Sequence, residues 1–133
     1  YAVKKGGDFL NGNKIFVSKN KNIQDSLMVC AFSSNKNKIS KKEYEVFGKL
    51  NNESQGVLRI GSAALSLCYL AKGSIDGFWG KNVKLWDVAA GCCILNEAGG
   101  EIFLNKLKND YANLIATNSL ISLSLKTKLK SII

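Results

Sequence analysis

The sequence predicts an α/β domain in which a mixed β-sheet is layered with packed helices. Three observations carry that expectation. Short runs rich in β-branched and aromatic residues, such as Leu27-Met28-Val29-Cys30-Ala31-Phe32, alternate with segments of helical length. Two of those segments, 62–72 and 87–98, are almost wholly apolar or small, and each is closed by glycine (Gly73, then Gly99-Gly100). A length of 133 residues has room for one core and not for two, so 1–133 is expected to be a single domain.

The elements follow in order. Residues 1–5 alternate weakly and read as a strand turned by Gly6-Gly7-Asp8. Asn11-Gly12 is the strongest hairpin signal, because a tight two-residue turn needs positive φ and both residues tolerate it. Residues 14–18 then read as a second strand, with Ile15 and Val17 on one face and Phe16 on the other. The continuous apolar run 27–32 has the length of a strand buried on both faces. After a polar loop at 33–40, Ser40 is an N-cap and Glu43 completes a capping box for a helix over 41–50. Tyr44, Phe47 and Leu50 form its narrow apolar stripe. A short strand, 56–60, leads directly into Gly61-Ser62.

Ser62 is expected near the N-cap of the first apolar helix, and Asp87 at the start of the second. Between them, 75–79 is brief and aromatic and reads as a strand. Strands at 101–104 and 114–117 flank a polar loop. Asn118 or Ser119 then caps a last helix in which Ile121, Leu125 and Leu129 recur every fourth residue. Lys126, Lys128 and Lys130 sit at its C-terminal end, where the helix dipole favours cations.

The totals exclude several functions. No run of eighteen apolar residues exists, so no segment reads as a membrane-spanning helix. The net charge of +9 invites a nucleic-acid reading, but every cation except Arg59 is Lys, scattered among Asn in stretches such as Asn35-Lys36-Asn37-Lys38. That pattern solvates loops and argues against a nucleic-acid partner. There are four cysteines, no C-x-x-C pair and no His, which argues against a zinc site or a Cys-His nucleophile. Cys68, Cys92 and Cys93 fall on the two apolar helices and are expected free and buried, as suits a cytoplasmic protein. The chain lacks an initial Met and opens as if within a strand, as expected of a piece of something longer.

Asp87 is the first candidate for chemistry. Trp86 before it and the small residues Val88-Ala89-Ala90-Gly91 after it would fix a carboxylate firmly enough to ligate a hard cation. A plain N-cap explains the same residue. One carboxylate is not a site, since Mg²⁺ needs further carboxylates or substrate phosphate. Asp76 and Glu97 could be a general acid and base, but a structural role is the simpler expectation for each.

Trp86-Asp87-Val88-Ala89-Ala90-Gly91 with Glu97-Ala98-Gly99-Gly100 resembles the C-terminal signature of the inositol monophosphatase family, Mg²⁺-dependent and Li⁺-sensitive phosphatases. Arg59-Ile60-Gly61-Ser62-Ala63-Ala64 resembles that family's substrate turn, Gly7 to Ser18 its Gly-x-x-x-Asn-Gly hairpin, and Ile75-Asp76-Gly77-Phe78-Trp79 the strand between. The motifs occur in the family's order from about Tyr1 to Asn118. The resemblance implies the C-terminal half of an α-β-α-β-α sugar-phosphatase fold, hydrolysis of an inositol, sugar or nucleotide phosphate monoester, and a homodimer. It implies that Asp87 ligates Mg²⁺ and that Gly61, Ser62 and Ala63 meet the substrate. The family's other metal ligands, a Glu and an Asp-Pro-Ile-Asp-Gly-Thr loop, have no counterpart here, as the chain has no Pro. The 133 residues are therefore expected to be a partial domain without catalysis of their own.

Gly80 stands where the family has a Glu that accepts from a sugar hydroxyl, with Lys81 and Lys84 following. That departure puts inositol phosphate in question as the preferred substrate. Two other readings stay open from the sequence: a basic RNA- or anion-binding module, and a structural remnant without activity.

Overall fold

The computed structural model describes residues 1–33 and 35–133; Ser34, in the predicted polar loop, lies outside them. Its strands are β1 (Ala2–Val3), β2 (Gly7–Leu10), β3 (Asn13–Lys14), β4 (Leu27–Ala31), β5 (Gly56–Leu58), β6 (Gly77–Lys84), β7 (Glu101–Lys106) and β8 (Tyr111–Thr117). The helices are α1 (Lys41–Glu53), α2 (Ala63–Ala71), α3 (Leu85–Glu97) and α4 (Ser122–Leu129). Strands β1 to β3 form a small antiparallel sheet. The main sheet has the order β5-β4-β6-β8-β7, parallel across β5, β4 and β6 and antiparallel across β6, β8 and β7. It is the mixed α/β sheet expected.

Alternation along the central strands builds two cores. Val29, Phe78, Leu114 and Ala116 point to one face and pack with Leu67, Leu70, Val88 and Leu95 of α2 and α3. Met28, Cys30, Trp79 and Ile115 point to the other and meet Leu50, Leu125 and Leu129 of α1 and α4. The two apolar helices share one sheet face, as their composition implies. Gly91 lets them approach closely: a Cβ there would lie 2.7 Å from Leu67 Cβ.

Several local expectations hold. Asn11 (φ 51) and Gly12 (φ 82) form the tight hairpin turn. Ser40 and Glu43 make the reciprocal capping box of α1. Five expectations need correction. The strand expected over 14–18 ends at Lys14: Ile15 N–H still reaches Asp8 O at 3.0 Å, but the chain then leaves the hairpin, Val17 N–H bonding to Ala98 O at 3.1 Å. The strand expected at 75–79 is instead β6, which runs on through Lys84. Helix α3 begins at Leu85, so Asp87 is in its first turn and is not its N-cap. That helix is also only half buried: Val88, Gly91 and Leu95 face inward, whereas Trp86, Ala89, Ala90 and Cys93 face outward. All four cysteines are free, but Cys93 is exposed and Cys68 and Cys92 are half-buried, because the core takes a narrow stripe of each helix.

Candidate active site

The N-termini of α2 and α3 open on the same cleft, of about 860 Å³. Gly61, at the end of the segment leaving β5, has φ +84, and an added Cβ would meet open space, so backbone geometry requires glycine there. Ser62 follows as the N-cap of α2, its Oγ accepting from Leu65 N–H at 3.2 Å. Gly61 and Ala63 line the cleft; the Ser62 hydroxyl is engaged as the cap. Helix α3 leaves β6 without a loop, and Leu85 N–H donates to Asp110 O at 2.8 Å, pinning that junction. Its first turn puts Asp87 on the cleft wall, exposed and accepting no hydrogen bond from the described residues. The structure thus brings Gly61, Ala63 and Asp87 together. Two helix N-termini facing one space give it an affinity for anions.

The wall beside β6 is shaped by a register shift between Gly80 and Val83. Asn82 takes φ 54, and its N–H donates to Asn113 Oδ1 at 3.1 Å. Val83 thereby covers Gly80: a Cβ at residue 80 would lie 2.6 Å from Val83 Cγ1. A side chain at residue 80 would therefore displace Val83. Lys81 is held by Glu43 at 3.4 Å. Burial alone would raise the Glu43 pKa, but the Ser40 N–H and hydroxyl together with Lys81 outweigh it and hold it low.

Sequence reasoning gave no role of their own to the cations on these walls. Arg59 lies over the Phe32 ring at 5.6 Å, and Lys84 over Trp86 at 5.1 Å. The one available signal was that Arg59 is the sole arginine. Cys30 also reaches the cleft, but burial pushes its thiol up to about 12, so it is no nucleophile at neutral pH.

The other two carboxylates singled out are structural. Asp76 is buried and accepts from Ser18 Oγ, from Asn20 Nδ2 at 3.0 Å and from Leu27 N–H at 2.8 Å. Glu97 accepts from Lys5 N–H at 2.8 Å and Gly7 N–H at 3.1 Å, tying the hairpin to α3.

Over residues 1–130 the chain matches the inositol monophosphatase family. It belongs to that family. The chain is 36% identical over 101 residues, 76% of its length, to the chloroplastic phosphatase IMPL1 of Arabidopsis thaliana. It is 33% identical over 132 residues, 97% of its length, to the Nus factor SuhB of Haemophilus influenzae. The solved inositol monophosphatase of Anabaena superposes with a TM-score of 0.83 at 35% identity over 92% of this chain. The matched part is 27% and 49% of those two relatives and 50% of the solved chain. The chain therefore spans about half the length of the family members it matches, or less.

An Mg²⁺ site needs more donors than this family member shows. Asp87 is the one carboxylate among the described residues lining the cleft, and no three of His, Cys, Asp and Glu converge among the described residues. These residues do not hold such a metal by themselves.

Proposed function

We propose that the 133 residues are the C-terminal portion of a longer catalytic domain. The whole protein would be an Mg²⁺-dependent phosphomonoesterase acting on an inositol phosphate or a related sugar or nucleotide phosphate. The observation that carries this reading is Asp87, an exposed carboxylate without a hydrogen-bond partner among the described residues, facing the Gly61 turn across one cleft. Family membership and the half-length match support it.

Asp87 contributes one metal ligand, and the remaining carboxylates come from outside these residues. When bound, the metal supplies positive charge beside the phosphate oxygens. Gly61 gives the backbone its close approach, Ser62 fixes the first turn of α2, and the Ala63 N–H at the helix start faces the substrate. No helix among the described residues is long and apolar enough to cross a membrane. A cytoplasmic homodimer completes the reading, consistent with four free thiols.

The test is phosphate release by the full-length protein from inositol 1-phosphate and from p-nitrophenyl phosphate, with and without Mg²⁺. Release that requires Mg²⁺ is expected. A well-folded full-length protein that releases none would overturn the proposal.

A further inference from the structure

The main sheet ends in two unlike edges. Strand β5 is three residues long, whereas β7 runs for six and pairs with β8 without a register shift. Among the described residues β7 has no strand on its outer side, and its middle, Ile102 to Asn105, carries no charge to discourage one. Beside it on the α4 side lies a groove of about 690 Å³, lined by Phe103, Ile115, Leu123, Lys126, Lys130 and Ile133. No residue of this groove lines the cleft at α2 and α3. We propose that β7 and α4 dock an extended acidic segment of a partner protein. The segment adds as a strand to β7, and its acidic side chains meet Lys126 and Lys130.

An edge strand offers a row of outward N–H and C=O groups, and an added strand satisfies them. Side chains of such a strand alternate between the sheet faces, so every second one lies on the α4 side. There it meets Leu123, which is 81% exposed although Leu125 and Leu129 of the same helix are fully buried. It also meets two cations one helical turn apart. Lys126 Nζ lies 3.6 Å from the centre of the Phe103 ring, which holds it at the margin of β7. Neither Lys126 nor Lys130 has a carboxylate within 4.0 Å among the described residues, whereas Lys128 is taken by Glu53 of α1. The helix dipole favours cations at this end of α4, but it accounts for neither the bare Leu123 nor the open edge. Charge decides the occupant. No acidic side chain lines the groove among the described residues. A second copy pairing its own β7 antiparallel would put both α4 helices on one sheet face, bringing like-charged lysines to a single seam. An acidic strand neutralises the same lysines.

The experiment measures fluorescence anisotropy of a labelled peptide of alternating glutamate and valine, titrated with the full-length protein at about 0.15 M salt. Saturable binding is expected. Lys126→Gln combined with Lys130→Gln should weaken it about tenfold. Both side chains are exposed, so the variant should fold, which circular dichroism checks. Lys4→Gln combined with Lys5→Gln removes the same charge from the small sheet and should change binding less than about twofold. A peptide with proline in place of each valine keeps its charge but cannot join a sheet, and should bind at least about tenfold more weakly. Absence of saturable binding, equal losses in the two double variants, or equal binding of the proline peptide would overturn the proposal. So would a dimer, seen by sedimentation, that excludes the peptide and dissociates with Leu123→Lys, since the surface would then belong to a second copy.

Discussion

The two ends of β6 carry aspartates with opposite surroundings. Asp76, just before the strand, is buried and its carboxylate takes three donors from two separate segments. Asn118 joins the same knot, donating to Ser18 Oγ at 2.9 Å and to Asn20 O at 2.8 Å. Asp87, in the helix just after the strand, is exposed and accepts nothing from the described residues. A carboxylate whose lone pairs are all committed inside the fold has nothing left for a ligand. One held on a rigid helix turn with its lone pairs open to a cleft is available to a cation. The contrast separates a committed carboxylate from an available one across β6, and residue type alone cannot do that.

The comparison can be broken at either end. In the full-length protein, Asp87→Asn is expected to lower kcat/KM on inositol 1-phosphate at least about 100-fold, the scale of losing a positioned electrostatic group. Its melting temperature should barely move, since no described group depends on that carboxylate. Asp76→Ala should do the reverse. It orphans the Leu27 N–H and two side-chain donors, and should cost about 3 kcal/mol in denaturant unfolding. A stable Asp76→Ala protein, or an unfolded Asp87→Asn one, would exchange the two roles.

A smaller effect is expected midway along the strand. Gly80→Glu alone should destabilise by about 1–3 kcal/mol, because its Cβ collides with Val83. Adding Val83→Ala should recover much of the loss and raise kcat/KM for inositol 1-phosphate relative to p-nitrophenyl phosphate. No recovery would mean that the register shift, and not Val83, closes the space.

The smallest expected change has the opposite sign. Asp8 is buried, and neither of its oxygens accepts a well-aligned hydrogen bond from the described residues. Burial raises its pKa, with Glu97 adding to the effect and the nearby Phe9 N–H opposing it. A carboxylate with a raised folded-state pKa favours folding while protonated, and that contribution is lost as pH rises through the folded value. Asp8→Ala should therefore stabilise the chain by about 1 kcal/mol at pH 7. The advantage should shrink as pH falls toward the ordinary value of 3.8. Chemical denaturation at pH 7 and pH 4 checks both points.

Local chemistry made much of this readable in advance. The Ser40–Glu43 capping box, the Asn11-Gly12 turn and the buried run of β4 each rest on neighbours in sequence, and each occurs. The start of α3 was misplaced because Lys84 carries no capping side chain, so nothing local marks the boundary that Asp87 falsely suggested. The full length of β6 was hidden because Gly80, Lys81 and Asn82 look like a loop until β8 pairs with them around the shift. Glu97 and Asp76 could not be assigned from spacing, since their nearest partners in sequence, Gly7 and Leu27, lie 90 and 49 residues away. Motif alone singled out Asp87 and the Gly61 turn, and the fold puts both on one cleft. It did not single out the cations around them, because only folding gathers Lys38, Arg59, Lys84 and Lys108 around one cleft.

The central claim is that Asp87 ligates a metal in the whole protein. Mn²⁺ binding to the full-length protein, followed by electron paramagnetic resonance at neutral pH, tests it without reference to turnover. The account expects Asp87→Asn to lose a bound Mn²⁺ or to weaken its binding by about tenfold or more, with unchanged circular dichroism. An Asp87→Asn protein that binds the same number of Mn²⁺ ions with the same affinity would contradict it.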